Sequence, residues 1–244
     1  MILVISGEGP SDIGACANAL GKCSDADFVA GPMMVILDHL LETQLHYSIR
    51  ELPDRLYFIN ETALKEFAKA LPMRLQPARS KKKGQETGYY FSNALALGVY
   101  AIECEQATND QAIAVLFRDS DSTHSTPTTL WNTKLASMQA GFQSSQFTRG
   151  ISMLPKPTSE AWLLCAAQNH PYQNCEQLEN LKGNTESSNH PKKKLDEALG
   201  RHLSATELCD WLEMNPFDSK RAESMPSFKA FKDELERVVK GVLS

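Results

Sequence analysis

Residues 112–117 form an unbroken apolar run, Ala112-Ile113-Ala114-Val115-Leu116-Phe117, which ends just before Asp119-Ser120-Asp121. A run of this length without alternating polar residues is typical of a strand that is covered on both faces, as in a parallel sheet. A second short run, Ile2 to Ser6, ends at a turn that begins with Gly7 and Glu8. The two runs predict strands of one sheet.

Helical patterns lie between the predicted strands. Apolar residues recur at helical spacing over residues 32–47. Further helices are predicted at 61–70, 89–106, 129–141 and 159–168, and further strands at 55–60 and 147–154. A helix is also predicted to start near Ile13, with Ser11 or Asp12 as its N-cap. This alternation predicts an α/β fold with a central, mostly parallel, doubly wound sheet flanked by helices.

The last third of the chain has a different character. Residues 169–194 are polar, and short helices are predicted at 192–199, 205–213 and 227–243 without a strong strand pattern. We therefore predict an α/β core over residues 1–170. The remainder, residues 171–244, is predicted to be a helical C-terminal appendage packed on that core.

The composition is that of an ordinary globular protein. Hydrophobic residues make up 42% and charged residues 23% of the 244, which excludes a wholly disordered chain. The formal net charge of -5 excludes a sequence-blind polycation, so nucleic acid would have to be bound by local basic patches or through a bridging metal. No apolar run approaches the ~20 residues of a membrane span, and the N-terminal residues lack a signal-peptide pattern. We therefore expect no membrane association and a cytoplasmic location.

Six cysteines occur without a Cys-x-x-Cys pair. A disulfide framework and a zinc site are both conceivable from their number. Buried thiols in a reducing compartment are the interpretation that the surrounding apolar and helical patterns favour.

Carboxylates follow several of the predicted strands. Glu8 follows the first, and Asp119 and Asp121 follow the apolar run. Residues two apart on an extended chain point the same way, so both aspartates can face one pocket. Glu160, at the start of a helix, can complete this group of acids. Asp12 is a candidate for the outer shell of the same site. Open parallel sheets bind ligands beyond the carboxyl ends of their strands, where these residues are expected to meet.

Converging carboxylates repel one another unless a shared proton, a basic neighbour or a divalent cation offsets their charge. Clustered oxygen ligands favour Mg²⁺ or Mn²⁺, which suits phosphoryl transfer or phosphodiester hydrolysis. Lys156 is a candidate catalytic cation for the transition state. Taken singly, Glu8 and Glu160 can complement helix dipoles and Asp119 or Asp121 can cap a turn, so the joint pattern carries the prediction.

Residues 2–12 and 115–121 together resemble the TOPRIM fold, which has a glutamate after its first strand and an Asp-x-Asp after a later one. The wider sequence is similar to DUF4276-type TOPRIM-like proteins, relatives of OLD-family nuclease domains and RloB-like proteins. Residues 153–162 and 226–231 resemble segments of the same group. The long insertion between the two motifs departs from the compact TOPRIM pattern.

The resemblance implies Mg²⁺-dependent hydrolysis of phosphodiester bonds in nucleic acid, DNA more than RNA, in the setting of anti-phage defence. It implies that Glu8 is a general acid/base or metal ligand and that Asp119 and Asp121 are metal ligands. Glu160 is implied as a further ligand.

A basic run provides candidate nucleic-acid contacts at Lys81, Lys82 and Lys83, although a solvated loop explains the run as well. Two other functions stay open. One is a non-catalytic, metal-binding interaction module of a larger complex, whose ATPase or defence-system partner would be a separate protein because this sequence has no P-loop. The other is a phosphotransferase or sugar-nucleotide enzyme that uses Asp-x-Asp to hold a metal-bound diphosphate.

Overall fold

A computed structural model describes residues 1–72, 87–120, 128–182 and 187–244. Within these ranges the strands are β1 (Ile2–Gly7), β2 (Gly14–Cys16), β3 (Lys22–Ser24), β4 (Phe28–Ala30), β5 (Leu56–Asn60), β6 (Ala112–Phe117) and β7 (Gly150–Met153). Five of them form the central sheet in the order β3-β5-β1-β6-β7. Strands β5, β1, β6 and β7 are parallel, and β3 is antiparallel to β5. The predicted α/β class and mostly parallel sheet are confirmed.

The helices alternate with the strands as the sequence predicts. They are α1 (Pro32–Leu45), α2 (Glu61–Ala70), α3 (Gly88–Thr108), α4 (Thr128–Ser144), α5 (Ser159–Ala167), α6 (Pro191–Leu199), α7 (Ala205–Met214), α8 (Ser219–Ala222) and α9 (Pro226–Leu243). No helix in the described ranges is both long enough and apolar enough to cross a membrane.

The sheet separates two hydrophobic cores. Along β1, Leu3 and Ile5 pack into the core formed with α1, α5 and the C-terminal helices, whereas Ile2 and Val4 pack into the core formed with α2, α3 and α4. Both faces of the sheet are therefore covered, which explains why β1 and β6 are apolar throughout.

The C-terminal helices share the first of these cores. Trp162 of α5 is fully buried, and its ring centroid lies 5.1 Å from that of Phe228 and 5.7 Å from that of Phe231, both on α9. Its indole Nε1 donates to Ser227 Oγ at 2.9 Å. Helix α5 is thus fixed against α9. The predicted boundary between core and C-terminal appendage, near residue 170, stays a prediction.

The strand register determines what emerges at the carboxyl edge of the sheet. The last residue of β1 is aligned with the last residues of both β5 and β6. The residues directly beyond, Glu8, Glu61 and Arg118, therefore leave the sheet side by side.

The predicted helix near Ile13 is wrong. Residues Gly9–Ile13 form a single π-helical turn, and the chain then enters β2, which pairs with β4. Gly14 has φ +130°, and a Cβ there would lie 2.5 Å from both the Phe28 ring and the carbonyl oxygen of Val29. This close, left-handed position ends the helical turn, because only glycine adopts it without strain.

The interpretation of all six cysteines as thiols is also wrong. Cys16 is bonded to Cys23, and Cys165 to Cys175, with Cα–Cα distances of 5.7 and 5.3 Å. Cys104 and Cys209 are free. The pairs are only 7 and 10 residues apart along the chain, so local turns bring each pair within bonding distance.

Candidate functional site

Glu8 ties the ends of β1 and β6 together. Its Oε1 accepts a hydrogen bond of 2.6 Å from the backbone N–H of Asp119, and its Oε2 accepts one of 3.2 Å from Arg118 Nη1. The two acids that were predicted at separate strand ends therefore lie at one place on the carboxyl edge.

Ser159, the first residue of α5, joins two further carboxylates to this place. Its backbone N–H donates to Asp119 Oδ1 at 2.8 Å, and its hydroxyl donates to Asp12 Oδ1 at 2.7 Å. Glu160 follows it in the first turn of α5. We call Glu8, Asp12, Asp119 and Glu160 the acidic cluster. The position beside a helix N-terminus is favourable for negative charge.

Two carboxylates of the acidic cluster, Asp12 and Asp119, have raised pKa values. Burial raises the pKa of Asp12 to about 6, and the charges of Glu160 and Glu8 add to the effect, against hydrogen bonds from Ser159 and Ser11. Although Asp119 as a residue is partly exposed, the protein desolvates its carboxyl group, and this together with Asp12, Glu160 and Glu8 raises its pKa well above the usual value. Protons or a cation would therefore stabilise the cluster.

Arg118 compensates the other side of the same edge. It is fully buried, and its Nη1 lies 3.2 Å from Glu8 Oε2 and 3.5 Å from Glu61 Oε2. Its guanidinium carbon lies 4.7 Å from the centroid of the Tyr89 ring. Among the described residues, Nε and Nη2 of Arg118 have no hydrogen-bond partner.

Glu61 is a residue of this edge that the sequence analysis missed. Burial acts to raise its pKa, but hydrogen bonds from Lys65 and Tyr89 and the charge of Arg118 outweigh burial, and the pKa is lowered. The pattern that could have revealed Glu61 is the one that revealed Glu8, because Glu61 directly follows a predicted strand.

The backbone that carries Asp119 is held from several directions. Tyr90 Oη donates to the carbonyl oxygen of Asp119 at 3.0 Å, and Lys134 Nζ, itself buried, donates to that of Ser120 at 2.6 Å. Ser120 Oγ donates to the carbonyl oxygen of Pro157 at 3.0 Å. These contacts fix the position of Asp119 before any ligand binds, which is the condition for a preorganised site.

Not every predicted site residue reaches the acidic cluster. Asp121 and the basic run with Lys81, Lys82 and Lys83 lie outside the described residues. The neighbour that the structure records for Lys156 is Glu179, whose pKa it acts to lower. The catalytic role of Lys156 stays a prediction.

The described acids do not by themselves form a ready metal site. Within residues 1–72, 87–120, 128–182 and 187–244, no three histidine, cysteine, aspartate or glutamate side chains are grouped closely enough to hold an ion. The cluster nevertheless offers only carboxylate oxygens, the donors that hard divalent cations prefer.

A small cavity borders the acidic cluster. Its volume is about 90 Å³, and Asp12 and Glu160 line it together with Lys192 and His202 from the C-terminal region. It has room for a few water molecules or one phosphate-sized group. The C-terminal helices therefore supply one wall of the space next to the carboxylates.

Comparison with known proteins assigns this chain to no group. It matches no family model, no curated protein and no solved structure. What the site does must therefore be inferred from its own residues.

Proposed function

We propose that the acidic cluster binds Mg²⁺ or Mn²⁺ and that the protein hydrolyses phosphodiester bonds of nucleic acid, with DNA the expected substrate. The observation that carries the proposal is the convergence of Glu8, Asp12, Asp119 and Glu160 at the carboxyl edge, with raised pKa values at two of them. The resemblance of the strand-end motifs to the TOPRIM fold supports the choice of reaction.

Asp12 and Asp119, which Ser159 brings together, are the residues that would hold the cation, with Glu8, Glu160 and Asp121 as further candidates to complete the set. When bound, a divalent cation supplies an activated water and offsets the charge that builds up on the leaving oxygen. Carboxylate oxygens are the donors that Mg²⁺ accepts most readily. A cation would also offset the burial and the neighbouring negative charges that raise the pKa of Asp119.

The other residues of the site orient these ligands. Arg118 donates to Glu8 and keeps one of its oxygens fixed. Ser159 holds Asp12 and Asp119 at a set separation through its hydroxyl and its backbone N–H. Lys192, which also lines the small cavity, provides a positive charge toward which a substrate phosphate can turn.

The test combines metal binding with cleavage. Thermal melting of the wild type in rising Mg²⁺ or Mn²⁺ is expected to show stabilisation, about 2.7 kcal/mol when the free ion exceeds its Kd a hundredfold. Asp119→Asn should abolish this shift and also the cleavage of plasmid and single-stranded DNA. Glu42→Gln, which changes an exposed acid on α1, is the matched control and should behave as the wild type.

The alternatives give different results in the same assays. Melting that does not respond to either metal would overturn the proposed cation site. Metal binding without cleavage of DNA or RNA would instead identify a non-catalytic interaction module. Hydrolysis of a nucleoside diphosphate sugar would identify the sugar-nucleotide enzyme.

A further inference from the structure

The two disulfides differ in their exposure to solvent. Cys165 and Cys175 are both 0% exposed, whereas Cys16 and Cys23 are both partly exposed. Exchange of a disulfide begins when a dissolved thiolate reaches one of its sulfur atoms, so access decides which bond reacts in the folded protein. The Cys16–Cys23 bond is therefore the exchangeable one of the two.

The exchangeable disulfide joins two sheets. Cys16 is the last residue of β2, which pairs with β4 in the two-stranded sheet. Cys23 is the middle residue of β3, which is an edge strand of the five-stranded sheet. Reduction would remove this covalent link without breaking the hydrogen bonds of either strand pair.

On the side of β2, the link leads to the acidic cluster. Asp12 lies in the turn Gly9–Ile13, which runs directly into β2, and only residues 13–15 separate it from Cys16. Because β2 is extended and paired with β4, a displacement of Cys16 is passed on to Asp12. The other end of this connection is the hydrogen bond that Ser159 Oγ donates to Asp12 at 2.7 Å.

On the side of β3, the loop that the disulfide closes packs against the start of α2. The carbonyl oxygen of Gly21 accepts from the backbone N–H of Asn60 at 2.7 Å. Gly21 has φ +70°, and a Cβ there would lie 2.6 Å from Asn60 Nδ2, so the loop fits closely against that side chain. Asn60 Oδ1 accepts from the backbone N–H of Ala63 and thereby caps α2, directly before Glu61, the partner of Arg118.

Contacts other than the disulfide also hold this part of the chain to the five-stranded sheet. Asp25 accepts from the backbone N–H groups of Asp54 at 2.6 Å and Leu56 at 2.9 Å. The ring centroids of Phe28 and Phe58 lie 5.0 Å apart. None of these contacts involves a cysteine, so loss of the disulfide should loosen the chain locally and leave the fold intact.

We propose that the Cys16–Cys23 bond is a redox switch of the acidic cluster. In the disulfide form, β2 is tied to β3 and Asp12 is held firmly beside Ser159. In the dithiol form that tie is absent, residues 9–16 move more, and Asp12 is held less firmly. Control of cation binding by the switch rests on the proposed function, whereas the change in residues 9–16 does not.

The exchange partner is a small thiol, for which glutathione serves as the probe. Its thiolate attacks one sulfur of the disulfide, the sulfur–sulfur bond breaks, and the other cysteine leaves as a thiolate that takes up a proton. A second glutathione thiolate attacks the mixed disulfide, which releases the first cysteine and forms glutathione disulfide. Two electrons thus pass from two glutathione molecules to the protein, and glutathione disulfide reverses both steps.

Thiol labelling tests the exchange. The native protein is incubated at rising ratios of reduced to oxidised glutathione, alkylated with iodoacetamide and analysed by peptide mass spectrometry. Cys16 and Cys23 should be labelled at least about tenfold faster than Cys165 and Cys175, because the second pair is fully buried. Addition of glutathione disulfide should restore the Cys16–Cys23 bond.

Hydrogen exchange in EDTA tests the structural effect without any contribution from metal. Reduction should speed the exchange of the amides of residues 9–16 by about tenfold, whereas those of β1 and β6 should be unchanged. The double variant Cys16→Ser and Cys23→Ser should exchange like the reduced wild type and should not respond to glutathione. The matched control, Cys104→Ser and Cys209→Ser, lacks the two free thiols and should switch like the wild type.

Calorimetric titration with Mn²⁺ tests the connection to the cation site. The disulfide and dithiol forms are freed of glutathione and kept under argon. Mn²⁺ should bind the disulfide form about tenfold more tightly, because Asp12 is then in the binding position for a larger fraction of the time.

Each result has a definite meaning. Equal labelling of the two pairs, or hydrogen exchange that reduction does not change, would overturn the switch. Equal Mn²⁺ affinity of the two forms would overturn its control of the acidic cluster. Absence of Mn²⁺ binding in both forms would contradict the proposed cation site, and the hydrogen-exchange result would still decide on the switch itself.

Discussion

Two groups of acids share the carboxyl edge of the sheet and are in opposite electrostatic states. Beyond β5, Glu61 is surrounded by Lys65, Tyr89 and Arg118, and its pKa is lowered. Asp12, in the turn after β1, and Asp119, beyond β6, are buried near other carboxylates, and the pKa of each is raised.

The opposite pKa shifts of the two groups show which acids at the carboxyl edge of the sheet have a compensating positive charge and which do not. Glu8 stands between the two groups, since it accepts from both Arg118 and the backbone of Asp119. A buried arginine already compensates the first group. The second group is the one that a cation from solution would stabilise, which is why we place the proposed metal there.

Loss of both carboxylates around Arg118 is expected to have the largest effect. The double variant Glu8→Gln and Glu61→Gln removes both negative partners that the fully buried guanidinium has among the described residues. Breaking a buried ion pair in this way costs about 3–5 kcal/mol. Urea unfolding at pH 7 should show this loss in the free energy of unfolding, whereas the exposed Glu66→Gln should change it by less than about 0.5 kcal/mol. Equal stability of the two variants would contradict the pairing.

Acidification should stabilise the metal-free protein through Asp12. Because the folded-state pKa is about 6 and the ordinary value is 3.8, the folded protein binds a proton more tightly than the unfolded chain. Its contribution to stability is therefore present at low pH and is lost as the pH rises through about 6.

The size of this effect is on the order of 1–2 kcal/mol, since solvent screens a partly exposed carboxyl. It is measured as the difference between wild type and Asp12→Asn in urea unfolding in EDTA between pH 4.5 and 7.5. A wild type and variant with parallel pH profiles would show that Asp12 does not take up this proton.

Removal of one charge from the acidic cluster should give the smallest change in the free energy of unfolding. The change should be a gain, whereas the Glu8 and Glu61 double variant should lose stability. Asp119→Asn retains an oxygen that can accept from the Ser159 N–H, and it removes one of the mutually repelling charges. We expect a gain of about 1 kcal/mol in the free energy of unfolding in EDTA at pH 7. The gain should disappear in millimolar Mg²⁺, where the wild type alone binds the ion. A loss of stability in EDTA would mean that another positive group already compensates Asp119.

The sequence predicts the part of the site that depends on strand ends. Strands β1 and β6 are buried on both faces, so their apolar runs are unambiguous. Glu8 comes directly after β1, and Asp119 comes two residues after the end of β6. Strands β2, β3 and β4 have only three residues each, which is too short for a periodic pattern.

Contacts between distant positions were beyond the reach of sequence reasoning. Arg118 is 110 residues from Glu8, and Ser159 is 147 residues from Asp12, so no local pattern marks either pair. A charged residue at a strand end also gives no sign that it will be fully buried, as Arg118 is. The disulfides were missed for a different reason: their cysteines are close in sequence, and their pairing depends on how the local turns fold.

The double contact of Ser159 has a mechanical consequence. One residue sets the separation of Asp12 from Asp119, so any rotation or sliding of α5 alters the spacing of both carboxylates together. Helix α5 is in turn anchored through Trp162 to the aromatic side chains of α9. The packing of Trp162 against α9 therefore bears on the spacing of the Asp12 and Asp119 carboxylates, although no residue of α9 is among the hydrogen-bond partners given above for either of them.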